Sequence, residues 1–124
     1  MITLTALQMQ TRHGENCPLD ATVTILSGKW KSIILCRLTK QDQRFTELLR
    51  TLPGCTRRML ALQLSQLITD QIIAKDVDTT FVPTKTSYHL TDLGRSLVPI
   101  IQSMDAWGRQ YITTLDNAEH GTSI

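Results

Sequence analysis

Phe45-Thr46-Glu47-Leu48-Leu49-Arg50-Thr51-Leu52-Pro53-Gly54-Cys55-Thr56-Arg57-Arg58-Met59-Leu60-Ala61-Leu62-Gln63-Leu64-Ser65-Gln66-Leu67-Ile68 holds two apolar periodicities on either side of a turn. Phe45, Leu48, Leu49 and Leu52 recur at helical spacing and predict a short helix. Pro53-Gly54 stops it, because proline cannot continue a helix and glycine accepts positive φ. Only Leu52 to Cys55 separate it from a second helix, for which Thr56 is a candidate cap. Leu60, Leu64, Leu67 and Ile68 line one side of that helix, while Arg57, Arg58, Gln63 and Gln66 fall largely elsewhere. Two helices across a tight glycine turn, the second opening with two arginines, form the helix-turn-helix pattern. By itself the pattern leaves function open, since many helical hairpins bind nothing.

Toward the C-terminus, Ile72-Ile73-Ala74-Lys75-Asp76-Val77 is short and β-branched, and Ser87-Tyr88-His89-Leu90 alternates polar with apolar. The two read as paired strands around the polar stretch Asp78 to Thr86, which contains Pro83 and carries Lys85 near its end. A hairpin directly after a helix-turn-helix is a wing. Thr91 then caps a last helix whose apolar residues, among them Leu97, Ile101, Met104, Trp107, Tyr111 and Leu115, cover more than one side. Pro99 is expected to kink this helix or to lie in its first turns. So broad a face exceeds what a small winged domain covers alone. It points to a homodimer seam through Leu97, Ile101, Met104, Trp107 and Tyr111, with the opening segment of Ile2, Leu4, Leu7 and Met9 packed against it. The other reading folds Trp107 and Tyr111 back onto the chain's own core.

Toward the N-terminus, Asn16-Cys17-Pro18 reads as a helix start with proline at the first helical position, where its missing N–H costs nothing. Leu19, Val23 and Leu26 follow at helical spacing, and Ser27-Gly28 interrupts. Trp30, Ile33, Ile34 and Leu38 then form the stripe of another amphipathic helix ending near Lys40, and Gln41-Asp42-Gln43 reads as a connector.

The whole chain has 124 residues, a size that suits one domain. Hydrophobic residues make up 41% and charged residues 19%, which excludes a disordered or collagen-like protein. The longest aliphatic runs fall far below the roughly 18 residues of a membrane span. Met1 to Arg12 lacks the basic and apolar regions of a signal peptide, so a cytoplasmic location is expected and no membrane partner. Three widely spaced cysteines, Cys17, Cys36 and Cys55, fit neither a disulfide scaffold nor a zinc site. His13, His89 and His120 join no acid or nucleophile in any motif, so neither a metal site nor catalytic residues are expected, and no cofactor or enzyme activity follows. The net charge of +2 hides an asymmetry: residues 29–58 hold eight cationic side chains against two carboxylates, a local charge of +6. A basic middle of this kind fits one face meeting a polyanion, or a solvated basic face.

Taken in order, several short motifs resemble the HxlR-type winged helix-turn-helix transcriptional regulators, relatives of the MarR group. They are Cys17-Pro18, Leu26-Ser27-Gly28-Lys29-Trp30-Lys31, Arg44-Phe45-Thr46-Glu47-Leu48, Leu52-Pro53-Gly54, Arg58-Met59-Leu60, Gln63-Leu64, the run Tyr88 to Leu97, and Trp107-Gly108. The chain departs from the family at Cys55, usually aliphatic, and at Thr86, more usually valine. The resemblance implies a mainly α fold with a small β-hairpin wing, dimerised through its terminal helices. It implies one domain over residues 1–124: a DNA-binding core at 12–90, dimerisation helices at 1–11 and 91–117, and a flexible tail at 118–124. The implied activity is that of a homodimeric regulator of double-stranded DNA, most often a repressor and sometimes an activator in this family, on a pseudo-palindromic operator, with each recognition helix in a major groove and each wing on the backbone or in the minor groove. The alternatives are a regulator answering a small molecule without redox sensing, with a cavity between the terminal helix and the wing, and a winged helix that serves as a protein-interaction module.

Within that frame Arg57 and Arg58, at the recognition-helix N-terminus, are read as contacts to base edges, where arginine pairs bidentately with guanine, or to phosphates. Thr56 offers a phosphate contact or merely a cap, and Gln63 is a candidate adenine reader. Lys29, Lys31, Arg44 and the wing's Lys85 are read as phosphate contacts or as solvated charges, and Trp30 as core. Cys17 sits at a helix N-terminus, where the macrodipole favours thiolate. In several branches of the resembled family a cysteine here senses oxidants or electrophiles such as quinones, its partner being a thiol of the other subunit or a small thiol; the alternative is a cysteine that only packs. Cys36 is read as inert core, and Cys55 as a space-filler or a reactive thiol.

Overall fold

Pro18 opens α1 (Pro18–Leu26), with Cys17 in extended backbone as its N-cap residue. Ser27 and Gly28, the latter at φ +103°, turn the chain into α2 (Lys31–Lys40), whose Ile34, Leu35 and Leu38 are buried. The computed structural model describes residues 17–121, so the opening segment read as part of the dimer seam, and the expected core residues 12–16, lie outside the described residues.

Gln43 and Arg44 form a two-residue strand, β1, and Arg44 is also the N-cap residue of α3 (Phe45–Arg50), its backbone N–H donating to Glu47 Oε1 at 2.8 Å. The turn Pro53-Gly54 follows, with Gly54 at φ +85°, a backbone region that side chains with a Cβ rarely enter. Thr56 Oγ1 accepts the Met59 N–H at 3.1 Å and so caps α4 (Arg57–Thr69). Leu60, Leu64 and Leu67 of α4 are fully buried, each contributing about 1.5–3 kcal/mol of apolar burial.

Strands β2 (Ile73–Asp78) and β3 (Lys85–Leu90) pair antiparallel in register from Ile73 opposite Leu90 to Asp78 opposite Lys85. β1 adds to the other edge of β3, with Gln43 opposite Tyr88, which makes a three-stranded sheet in the order β1-β3-β2. The expected connector at Gln43 is therefore strand, and two residues are too few to show alternation in sequence. Thr91 Oγ1 accepts the Gly94 N–H at 3.0 Å at the start of α5 (Asp92–Gly121), 30 residues and so about 45 Å long. Pro99 lies inside this helix. Residues 118–121, expected in a flexible tail, continue it. Among the described residues no helix is long and apolar enough to cross a membrane.

The first half of α5 lies on the core and the second half runs past it. Leu97 and Ile101 are 9% and 6% exposed, covered by their own chain rather than held open for a second copy. Met104, Trp107, Tyr111, Ile112 and Leu115 remain exposed, and the Trp107 and Tyr111 rings stack on each other at 5.2 Å instead of folding back onto the core.

Candidate nucleic-acid interface

The tight turn before α4 sets the site. Because Thr56 caps α4, the next two residues, Arg57 and Arg58, occupy its first turn, and both are exposed. The Arg57 guanidinium lies over the Phe45 ring, 5.7 Å from its centroid, an aromatic platform that sequence reasoning overlooked. Arg44 precedes Phe45 and pairs in register with Ser87 of the wing. Asp78, at the end of β2, reports how close the wing's charges lie. Two hydrogen bonds from Thr80 hold its carboxyl below the usual carboxylate range, and the positive charges of Lys85 and Arg44 act in the same direction. Arg57, Arg44 and Lys85 thus follow one another from α4 through β1 to the wing.

Lys29 joins the same region from the α1–α2 turn. Its ammonium stands 4.9 Å from the Trp30 ring and is close enough to Cys55 to oppose, in part, the upward push of burial on that thiol. Trp30 is buried, as core.

Two of the expected DNA contacts are placed otherwise. Lys31 is 7% exposed, because it falls at i, i+3, i+4 and i+7 with Ile34, Leu35 and Leu38 on the inward face of α2. Gln63 lies one residue before buried Leu64, and its Oε1 is buried without a hydrogen-bond partner, 3.7 Å from where a Cβ at Gly28 would stand. Its amide is turned toward the α1–α2 turn and away from the exposed side of α4, so neither residue belongs to the exposed basic row.

The cysteines separate by environment. Cys17 is half-buried at the start of α1, and its side chain makes no capping hydrogen bond. Cys36 lies on α2, half-buried against the core. It also lines a groove of about 720 Å³ formed by α2 and α5 near the end of α1, with Ile33, Arg37, Lys40, Ile101 and Met104. The small-molecule reading predicted a cavity between the terminal helix and the wing; this groove lies instead on the α2 side of α5. On the wing, His89 Nδ1 and Asp76 Oδ2 are 2.9 Å apart across β2 and β3.

Residues 25–116 match the HxlR-like helix-turn-helix family. The HTH-type transcriptional regulator YdeP of Bacillus subtilis (strain 168) is 42% identical over 105 residues, covering 85% of this chain and 81% of that protein. Among solved structures, the redox regulator HypR in its reduced form superposes with a TM-score of 0.77 at 38% identity, over 82% of this chain and 99% of that one. Diamide-treated YodB from B. subtilis superposes with a TM-score of 0.65 at 31% identity, over 77% of this chain and 93% of that one. These relatives are transcriptional regulators, in a family that is not enzymatic. With the family match spanning most of its length, the chain belongs to the HxlR-like helix-turn-helix family and is a transcriptional regulator.

Proposed function

We propose that the chain acts in the cytoplasm as a homodimeric repressor on a pseudo-palindromic operator, with α4 of each protomer in a major groove and each wing on the flanking backbone or in the minor groove. The observation that carries this reading is the row of Arg57, Arg44 and Lys85 beside the exposed Thr56 to Arg58 turn, with Lys29 next to it. Arg58 and Arg57 are assigned to base edges or phosphates, Thr56 to a phosphate at the helix N-terminus, and Lys29, Lys85 and Arg44 to phosphates. The exposed apolar row from Met104 to Leu115 is assigned to the dimer seam, which would set the two α4 helices about 34–36 Å apart. Titrating the protein on the DNA upstream of its own gene, against scrambled DNA, tests the proposal. Selective binding should weaken roughly a thousandfold or more between about 50 and about 200 mM salt if six or more phosphates are met. Equal and negligible binding to both DNAs would favour the protein-interaction module.

Control by oxidation or electrophile modification of Cys17 is part of the proposal. Its support is the place of this uncommitted thiol at the start of α1, together with the likeness to HypR, a redox regulator, and to YodB, solved after diamide treatment. Diamide removes two hydrogens from a pair of thiols and leaves a disulfide, here between Cys17 and a thiol of the other subunit or a small thiol. Diamide is expected to release the wild-type protein from DNA and to leave a Cys17→Ser protein bound, as read by gel shift; release of both would remove Cys17 from the mechanism. A second reading, control by a small molecule near the dimer seam, is favoured by the groove between α2 and α5, whose lining includes Met104 at the start of that exposed row.

A further inference from the structure

The segment between β2 and β3 reads Thr79-Thr80-Phe81-Val82-Pro83-Thr84. A projection used only to hold phosphate would be expected to end in cations or hydroxyls. This one ends in three consecutive apolar residues, and Val82 is 98% exposed. Single exposed apolar side chains are ordinary on protein surfaces. Three in a row at the end of a projecting hairpin form a patch with a direction.

The tip is also held in place. The Asp78 carboxylate accepts hydrogen bonds from the Thr80 N–H at 3.0 Å and from the Thr80 hydroxyl at 2.6 Å, which secures the side that follows β2. On the side that enters β3, the Lys85 ammonium stands 3.7 Å from the centroid of the Phe81 ring. Phe81 is thereby kept under a cation, and its chain neighbour Val82 is almost wholly exposed. Through Arg44 and Lys85, which both act on Asp78, this hairpin is continuous with the basic row that ends at Arg57.

We infer that the wing tip is an apolar wedge for the minor groove of bound DNA. Val82, backed by Phe81, presses against sugars and base edges and opens a base step, while Lys85 meets the phosphate beside it. The inference rests on the DNA-binding reading above and adds a specificity element to it. Apolar side chains offer no donors or acceptors to a base pair, so selectivity here arises from how easily the contacted step deforms.

The test uses duplexes selected by the wild-type full chain from a random-sequence pool, labelled at their ends with a donor and an acceptor dye. Binding by the wild type is expected to shorten the end-to-end distance. The Phe81→Ala/Val82→Ser double variant is expected to bind about tenfold more weakly and to leave the duplex straighter, with an unaltered salt slope. Lys85→Ala is expected to reduce the slope by about 0.9 for each protomer. Thermal unfolding of the double variant should match the wild type, since the substituted side chains lie outside the buried core. A double variant that bends the duplex as the wild type does overturns the wedge, whether or not its affinity falls. Failure of the wild type to select any duplex overturns the DNA-binding reading itself, and the wedge with it.

Discussion

Replacing Gly94 with alanine is expected to destabilise the fold by about 3 kcal/mol or more. A Cβ at this position would lie 2.1 Å from the Ile72 carbonyl oxygen and 3.1 Å from its carbon, contacts with backbone that a rotamer change does not relieve. The Ile72 carbonyl already accepts the Thr91 N–H at 3.1 Å, and the Thr91 hydroxyl that caps α5 is shared between the Gln71 carbonyl at 2.7 Å and the Ile72 carbonyl at 3.0 Å. Moving either backbone to make room therefore breaks the junction that ties α5 to the end of α4. For a domain of this size the loss corresponds to roughly 10–20 °C in Tm, measured by circular dichroism or calorimetry. Gly108→Ala supplies the comparison. It lies on the same helix with nothing within 4 Å of the added carbon, and a gain of about 0.5–1 kcal/mol is expected. Equal Tm values for the two variants would show that the approach to Ile72 does not constrain the fold.

Arg58→Ala is expected to weaken operator binding roughly 10–100-fold, the effect of losing one bidentate base contact worth about 1–3 kcal/mol. Arg58 is exposed in the first turn of α4 and alanine favours helix there, so its Tm should match that of the wild type. That match separates lost recognition from lost structure. Arg57, resting over Phe45, is expected to behave differently in one respect. If it meets phosphate, Arg57→Ala weakens binding to all sequences alike and lowers the salt slope by about 0.9 per contact, whereas a base reader relaxes selectivity at one operator position. Fluorescence anisotropy across single-base operator variants at fixed salt distinguishes the two. An Arg58→Ala protein that binds within twofold of the wild type would remove this residue from the interface.

The helix-turn-helix was legible because everything that specifies it is local. The leucine periods of α3 and α4, the Pro53-Gly54 turn and the Thr56 cap lie within 24 consecutive residues. Helical spacing and capping are properties of neighbours in the chain, so the exposure of Arg57 and Arg58 followed from the same pattern. The wing was legible for a similar reason, since β-branched and alternating residues flank a polar turn.

What the chain by itself determined, then, was which residues are apolar, which are charged, and where each helix starts. What only the tertiary structure decided was what faces each of them. Leu97, Ile101, Met104, Trp107 and Tyr111 all read as one apolar set along α5, yet the first two are buried in the domain's own core and the last three are exposed beyond it. Lys31 and Gln63 look like neighbours of the basic row in sequence, but the rotation of α2 and α4 about their buried leucines and isoleucine turns them inward. β1 exists only because β3 offers it an edge, and Gly94 is required only because Ile72 passes within contact distance. Periodicity is a property of one element, whereas burial is a property of at least two, and the second element's position is written nowhere in the first.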